Sequence, residues 1–130
     1  MPEIKTCDEA VELLSQVVEE YGRDHVYVSP RGGPYCFYVH DGQPSCLIGH
    51  VLMRAGFALD LIAELDHSFE MPNATAFSLV ADLIHQRSGF EGVTEHVCGV
   101  LGQAQTLQDL GYTWGKILDE VKRWCLLLQP

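Results

Sequence analysis

The first hydrophobic pattern along the chain has the period of an α-helix. Between residues 7 and 21, apolar side chains recur at helical spacing, at Val11, Leu14, Val18 and Tyr21. Thr6 and Glu9 have the spacing of an N-terminal capping box, and Gly22 supplies a stop signal. The pattern therefore predicts a helix over residues 7–21.

Two short segments that follow are rich in β-branched and aromatic residues. They read HVYVSP (25–30) and YCFYVH (35–40), and the RGGP between them is typical of a turn. This arrangement predicts an antiparallel β-hairpin in the N-terminal third, whose second strand is ended by DGQP (41–44). Because an isolated hairpin is marginally stable in water, we expect it to pack on helices or to gain strands from another chain.

Helical spacing returns after the hairpin. It predicts a helix from the N-cap Ser45 to the stop Gly56, a short helix after it, and further helices over residues 74–87, from Thr94 to about Leu110, and from Thr113 onward. Gln103, Gln105 and Gln108 are expected to be exposed, with an interhelical hydrogen-bond network or a partner surface as the alternatives. No repeat or linker divides the chain. The sequence predicts a mostly helical α+β fold of about five helices and one hairpin, in a single domain over residues 1–130.

Charge narrows the classes of partner. The 130 residues include 18 acids and 8 bases, which gives a formal net charge of −10. Direct nucleic-acid binding is disfavoured because phosphate contacts need clustered Lys and Arg, and this chain has no such cluster.

No stretch reaches the roughly 20 apolar residues of a membrane helix, and the N-terminus lacks the features of a secretory signal. We expect a cytoplasmic protein whose five cysteines are reduced thiols.

The outer face of the first predicted helix gathers four acidic side chains with no basic residue among them: Glu9, Glu12, Glu19 and Glu20. A solvated face is the plain interpretation of such a charge run, and a docking surface for a basic protein partner is the functional one. The uncovered edges of the hairpin, or the aromatic C-terminal helix, also favour a homodimer.

Two Cys–His pairs with the same spacing lie in YCFYVHDGQPSCLIGH. On a strand, Cys36 and His40 would be about 13 Å apart, too far to share one ion. On a helix, Cys46 and His50 would have β-carbons about 5–6 Å apart. A zinc site would therefore use His40, Cys46 and His50 with an unidentified fourth ligand, although the C-x-x-C knuckle typical of zinc is absent. The competing interpretation is a packing corner without metal or cofactor, in which Cys46 and Gly49 keep the helix slim.

Cys46 is also a candidate nucleophile. The positive end of the helix dipole stabilises the thiolate form of a cysteine in the first turn of a helix. His40 or His50 would be the base that removes the proton. Against catalysis, no Asn or Asp that would orient either histidine can be identified, and PSCLIG shows no oxyanion arrangement. A metal- or thiol-dependent enzyme is thus an alternative that the sequence leaves open.

Two segments carry a resemblance to a known group of proteins. YVHDGQPSCLIGHVLMRAG and QTLQDLGYTWGKILDEV are similar to segments of small, functionally uncharacterised proteins of actinobacteria and their phages. The shared positions, which cover under half of the chain, are Tyr38, Val39, His40, Cys46, Gly49, Gln108, Asp109, Gly111, Trp114 and Gly115. The resemblance implies an actinobacterial setting, in which host and phage or prophage origin both stay open, and it assigns no catalytic role to these positions.

These observations together favour a non-enzymatic, acidic interaction or regulatory protein that binds a protein partner and needs no cofactor. Two alternatives stay open. One is the metal- or thiol-dependent enzyme built on His40, Cys46 and His50. The other is a DNA mimic whose acidic surface blocks a host nucleic-acid-binding protein.

Overall fold

Helices and one small hairpin make up the part of the chain that the computed structural model describes, which is residues 2–30, 37–68 and 88–128. In chain order the elements are α1 (Cys7–Tyr21), β1 (Val39–His40), β2 (Gln43–Pro44), α2 (Leu47–Arg54), α3 (Leu59–Ala63), a 3-10 helix (Glu64–Ser68), α4 (Glu95–Asp109) and α5 (Trp114–Leu128). The predicted mostly helical α+β fold is confirmed. The predicted helix over 74–87 lies outside the described residues. None of the helices in the described ranges is long and apolar enough to cross a membrane.

The helix ends follow the local signals of the sequence in most cases. The hydroxyl of Thr6 accepts a hydrogen bond from the Glu9 amide at 3.1 Å, and the hydroxyl of Thr94 accepts one from the Val97 amide at 3.2 Å. Gly22 ends α1 with a positive φ of 96°, which glycine adopts without steric cost. These contacts satisfy amides and carbonyls that a helix end leaves without intrahelical partners.

The start of α2 differs from the prediction. Its N-cap is Cys46, whose side chain makes no capping hydrogen bond, and Ser45 is not the cap. The hydroxyl of Ser45 instead lies 3.3 Å from the hydroxyl of Tyr27. The prediction was wrong because a serine before a helix has other partners as soon as a tertiary contact offers one.

The hairpin also lies elsewhere than predicted. Residues 25–30 form no strand, and the predicted RGGP turn falls outside the described residues. The observed strands pair Val39 with Pro44 and His40 with Gln43, in antiparallel register. Asp41 and Gly42 between them have φ values of 52° and 72°, as a two-residue hairpin turn requires. The segment 41–44, predicted to end the hairpin, therefore forms its turn and second strand.

Most of the core lies between α1, α2, α4 and α5. α1 packs against α2, α4 and α5, while α4 packs against α2 and α5. The largest fully buried side chains are Trp114, Tyr38, Phe90, Ile4, Leu14, Leu47, Ile48, Leu52, Ile62, Leu65 and Leu101. Six of these side chains lie on the four helices, and the other five lie on the segments that precede or join them. The burial of these apolar groups away from water is the main favourable contribution to folding.

Tyr38, just before β1, connects the hairpin to the helices through hydrogen bonds. A carboxylate oxygen of Asp66 accepts a hydrogen bond from the Tyr38 amide at 2.8 Å, and the Tyr38 carbonyl accepts one from the Ser45 amide at 2.9 Å. Its buried hydroxyl donates to the side-chain oxygen of Gln105 in α4. Gln108, one turn later, accepts a hydrogen bond from the Leu47 amide at 2.9 Å. Gln105 and Gln108 are thus buried network residues, and the expectation that they are exposed was wrong.

A disulfide joins Cys7 at the start of α1 to Cys125 near the end of α5, with the two Cα atoms 5.8 Å apart. The expectation that all five cysteines are reduced was therefore wrong for this pair, which 118 residues of sequence separate. Cys46 and Cys98 are free and buried. Burial, and to a smaller extent the nearby Glu95 carboxylate, together raise the pKa of the Cys98 thiol to about 11.

Replacement of Gly49 by alanine is expected to lower the free energy of unfolding by about 3 kcal/mol, because overpacking at a fixed backbone forces elements apart. The new β-carbon would lie 2.1 Å from the carbonyl oxygen of Tyr38. Gly99→Ala in α4 is the matched control, since its β-carbon would meet nothing within 4 Å. This control should raise the free energy of unfolding by about 0.5–1 kcal/mol. Urea denaturation measures both, and equal effects would contradict the close approach.

Reduction of the Cys7–Cys125 disulfide should lower the free energy of unfolding by about 2–4 kcal/mol, because the cross-link restricts the unfolded chain. The measurement is thermal or urea unfolding with and without reductant. The double variant Cys7→Ser with Cys125→Ser is the control and should not respond to reductant. If Cys7 and Cys125 were both alkylated in protein purified under air, without prior reduction, the bond would not have formed.

Candidate functional site

A groove of about 350 Å³ lies where the end of α1, the segment after it, the hairpin and the starts of α2 and α5 meet. It is lined by three histidines, three larger aromatic side chains and four smaller residues: His25, His40, His50, Tyr21, Tyr27, Trp114, Val26, Val28, Pro44 and Ser45. We call it the histidine groove. Its volume is in the range of sites that hold small organic molecules.

The backbone between α1 and α5 places His25 in this groove. The carbonyl of His25 accepts a hydrogen bond from the Trp114 amide at 2.8 Å, and the carbonyl of Arg23 accepts one from the Gly115 amide at 3.0 Å. A β-carbon at position 115 would lie 2.8 Å from that Arg23 oxygen, so the absence of a side chain permits the approach. Two amides at the start of α5 thereby hold the 23–25 segment against the helix end.

Four rings in the groove contact one another at tilted or edge-on angles. The ring centroids of His25 and Trp114 are 4.3 Å apart, and those of Tyr21 and His50 are 4.8 Å apart. Tyr21 also lies edge-on to Trp114 at 5.5 Å. Rings prefer these arrangements because the positive edge of one faces the negative face of another. The cluster is therefore a preformed aromatic wall.

His50 is the most buried histidine of the wall, with 5% of its surface exposed. Burial lowers its pKa below 6.5, because a charged imidazolium would lose its hydration, and the nearby His25 lowers it further. Within the described ranges no protein group hydrogen-bonds to the His50 ring. The ring is thus neutral at neutral pH, with one donor nitrogen and one acceptor nitrogen left for another molecule.

The three residues of the predicted zinc site do not come together. His40 and His50 line the histidine groove, whereas Cys46 is fully buried and lies outside its lining. The His40 ring lies 3.3 Å from the carboxylate of Asp41 instead. Among residues 2–30, 37–68 and 88–128, no group of three His, Cys, Asp or Glu side chains is placed to hold a metal ion. Cys36, the other cysteine considered, lies outside these ranges.

The same burial bears on the nucleophile interpretation of Cys46. Attack by a thiolate needs a substrate within bonding distance of the sulfur, and a side chain with 0% exposure offers none in this conformation. Cys46 instead contributes its carbonyl to α2, where it accepts a hydrogen bond from the His50 amide at 3.1 Å. Its position in the structure is that of a small core residue.

The four acidic residues predicted as a partner-binding face are all exposed on α1. Glu9 and Glu12 line a second groove, of about 380 Å³, together with Glu3, Asp8, Leu13 and Ala55; we call it the acidic groove. Glu20, at the other end of α1, forms an ion pair with Arg54 of α2. The face predicted as uniformly acidic is therefore divided into an acidic groove and a partly neutralised end.

Sequence reasoning missed several residues of the histidine groove. His25, Tyr21 and Tyr27 were treated as parts of a helix end and a strand, and Trp114 as a core or interface residue. A signal was present in the Trp-Gly pair at the start of α5, because a glycine in a first helical turn indicates a close backbone neighbour. The identity of that neighbour, residues 23–25, has no local signature.

Comparison of the chain with protein-family models, with curated proteins and with solved structures found no match. The geometry of the two grooves, together with the charge of the chain, therefore carries the functional argument.

The lowered pKa of His50 predicts how stability depends on pH. Because the folded state favours the neutral ring, the contribution of His50 is complete above pH 6.5 and is lost as pH falls toward the lowered pKa of the folded state. His50→Gln removes this contribution, so its free energy of unfolding should fall less than that of the wild type between pH 7.5 and 5. Urea titrations at several pH values test this. Parallel pH curves for the two proteins, or an NMR pKa of His50 at or above 6.5, would contradict it.

Proposed function

We propose that this protein is a non-enzymatic interaction protein whose acidic groove binds a basic segment of a protein partner. The observation that carries the proposal is the composition of this groove. Carboxylates of Glu3, Asp8, Glu9 and Glu12 surround a surface that includes Leu13 and Ala55. A partner segment that alternates Lys or Arg with apolar side chains is complementary to both features.

The arrangement of charge around the groove supports this choice of location. Glu9 is held at the start of α1, since its carboxylate lies 3.3 Å from the hydroxyl of Thr6 within the capping box. Glu12 is bonded only to a neutral group, the amide of Gln16 at 3.3 Å. Within the described ranges neither carboxylate forms an ion pair, whereas Glu3 of the same groove is paired with Lys5. A cationic partner group would gain electrostatic attraction there.

The apolar part of the groove favours a protein partner over the DNA-mimic alternative. A mimic of nucleic-acid charge needs regularly placed negative groups, and apolar side chains among them add nothing to its recognition by a phosphate-binding surface. Leu13 and Ala55 offer contacts that only an apolar group of a partner would use. The charge of −10 then acts mainly in steering the encounter with a basic surface.

A second copy of the chain is a further partner that this proposal admits. Leu126 and Leu127, near the end of α5, are each 73% exposed, and Leu110 is 69% exposed. Leu126 and Leu127 are neighbours at one end of α5, and adjacent exposed leucines are typical of association surfaces, whereas Leu110 precedes the other end of this helix. We also propose a cytoplasmic setting. Because a reducing cytoplasm favours thiols, Cys7 and Cys125 would be reduced there, and the bond between them would mark protein from an oxidising environment.

The proposal predicts that Glu9→Gln with Glu12→Gln weakens partner binding. The expected result is loss of the partners that immobilised wild-type protein captures from cell extract, with affinities then measured for the purified partner at 50 and 300 mM salt. Loss of two carboxylates facing cations should weaken binding about tenfold or more at low salt and less at high salt.

Two matched variants control for charge alone. Asp60→Asn with Glu64→Gln removes the same charge from exposed positions outside the acidic groove, and should leave binding unchanged. Glu19→Gln with Glu20→Gln tests the other end of α1 and should have the smaller effect, since Arg54 already neutralises Glu20. If all four glutamates of α1 could be replaced with every partner still bound, the acidic face would not be a docking surface.

A further inference from the structure

The histidine groove differs from the rest of the surface in its charge. None of its ten lining residues is Lys, Arg, Asp or Glu, although the chain has 26 such residues among its 130. Its polar side-chain groups are imidazoles, phenols, one hydroxyl and the indole N–H of Trp114. A surface site with this composition in so acidic a chain is suited to an uncharged ligand, because an ion would find no opposite charge to compensate for lost hydration.

We propose that the histidine groove is a binding site for a small, uncharged, planar aromatic molecule that carries a hydrogen-bonding group. The site is separate from the acidic groove and shares no lining residue with it. The proposal therefore adds a ligand to the interaction protein and does not depend on its partner.

The preference for a planar ring follows from the aromatic wall. His25, Trp114, Tyr21 and His50 already contact one another with centroids 4.3–5.8 Å apart and planes tilted by 50–70°. A further ring placed against this wall can adopt the same edge-on geometry, which saturated rings cannot exploit. Tyr21 is 43% exposed, so part of its ring remains open to a ligand.

The proposal that the ligand carries a hydrogen-bonding group rests on His50 and Trp114. Its side chain is 95% buried (5% exposed), it lines the groove, and no described protein group hydrogen-bonds to its ring. The indole Nε1 of Trp114, which lines the same groove, is buried and has no hydrogen-bond partner among the described residues. Such a donor costs free energy that a ligand restores by supplying an acceptor, and the His50 ring can bond to the same ligand. A hydroxyl can do either, so the tautomer of His50 does not limit the choice.

Phenol is the simplest probe of this class. With about seven non-hydrogen atoms, it is expected to bind with a Kd on the order of millimolar. Cyclohexanol has the same number of non-hydrogen atoms and the same hydroxyl without an aromatic ring, and benzoate has the ring with a negative charge. At pH 7.5 we expect phenol to bind at least fivefold more tightly than either, since ring contacts and neutrality are what the groove recognises.

The two tryptophans give an internal readout by NMR of the full ¹⁵N-labelled chain. Trp114 lines the histidine groove, whereas Trp124 lines a different cavity with Gln103 and Leu107. Titration with phenol should shift the indole N–H signal of Trp114 in a saturable manner and leave that of Trp124 in place. Shifts centred on Trp124, or equal affinities for phenol and cyclohexanol, would overturn the proposal.

Variants of His50 test the hydrogen bond. His50→Phe keeps a flat ring and removes both nitrogens, so it should weaken phenol binding about fivefold to tenfold, as loss of one hydrogen bond does. His50→Gln restores a donor and an acceptor and should bind within about twofold of the wild type. His96→Ala, which removes an exposed histidine of α4 outside the groove, is the control and should bind normally.

Tyr21→Ala provides a second test if the buried substitution prevents folding. Because Tyr21 is 43% exposed, its removal is tolerated more readily and should still weaken phenol binding by loss of the ring contact. Unchanged affinity in His50→Phe, or in Tyr21→Ala where the former does not fold, would overturn the proposal. So would tighter binding of benzoate than of phenol by the wild type.

Discussion

The fold depends on one close contact, that of the Tyr38 backbone with α2. Three groups hold Tyr38 from different elements: Asp66 accepts from its amide, Ser45 donates to its carbonyl, and Gln105 accepts from its hydroxyl. Gly49 then lets the helix lie directly on this carbonyl. A hairpin of two-residue strands has too few ladder hydrogen bonds to be stable by itself, so its position is fixed by these tertiary contacts. The hairpin in turn brings His40 to the histidine groove.

α1 connects the two surfaces to which we assign roles. Its first turns present Glu9 and Glu12 to the acidic groove, and its last residue, Tyr21, lies in the aromatic wall. Fifteen residues at about 1.5 Å each separate these ends by roughly 20 Å. One rigid helix thus carries a charged site and an uncharged site at opposite ends. Each can bind its own class of molecule without steric conflict, and a change in the packing of α1 would reach both.

The sequence predicted those features that local signals determine. Caps at Thr6 and Thr94 and the stop at Gly22 gave the ends of two helices, because each acts over three or four residues. Other features depend on contacts between distant segments. The sequence around a glutamine does not indicate whether its side chain is exposed or, like those of Gln105 and Gln108, buried. The β-branched composition of residues 25–30 predicted a strand, yet Val28 is 79% exposed and the segment lies along the groove. His40 and His50, considered together from the sequence as metal ligands, both line the histidine groove, but their neighbours there come from the ends of α1 and α5.

The pairing of Cys7 with Cys125 closes most of the chain into a covalent ring. The two Cα atoms lie 5.8 Å apart, about the distance between residues on neighbouring strands of a sheet. The ring contains α2, α3, α4 and the hairpin. A single cut in a loop between these elements would therefore leave the two pieces joined through the disulfide, and they would separate only after reduction.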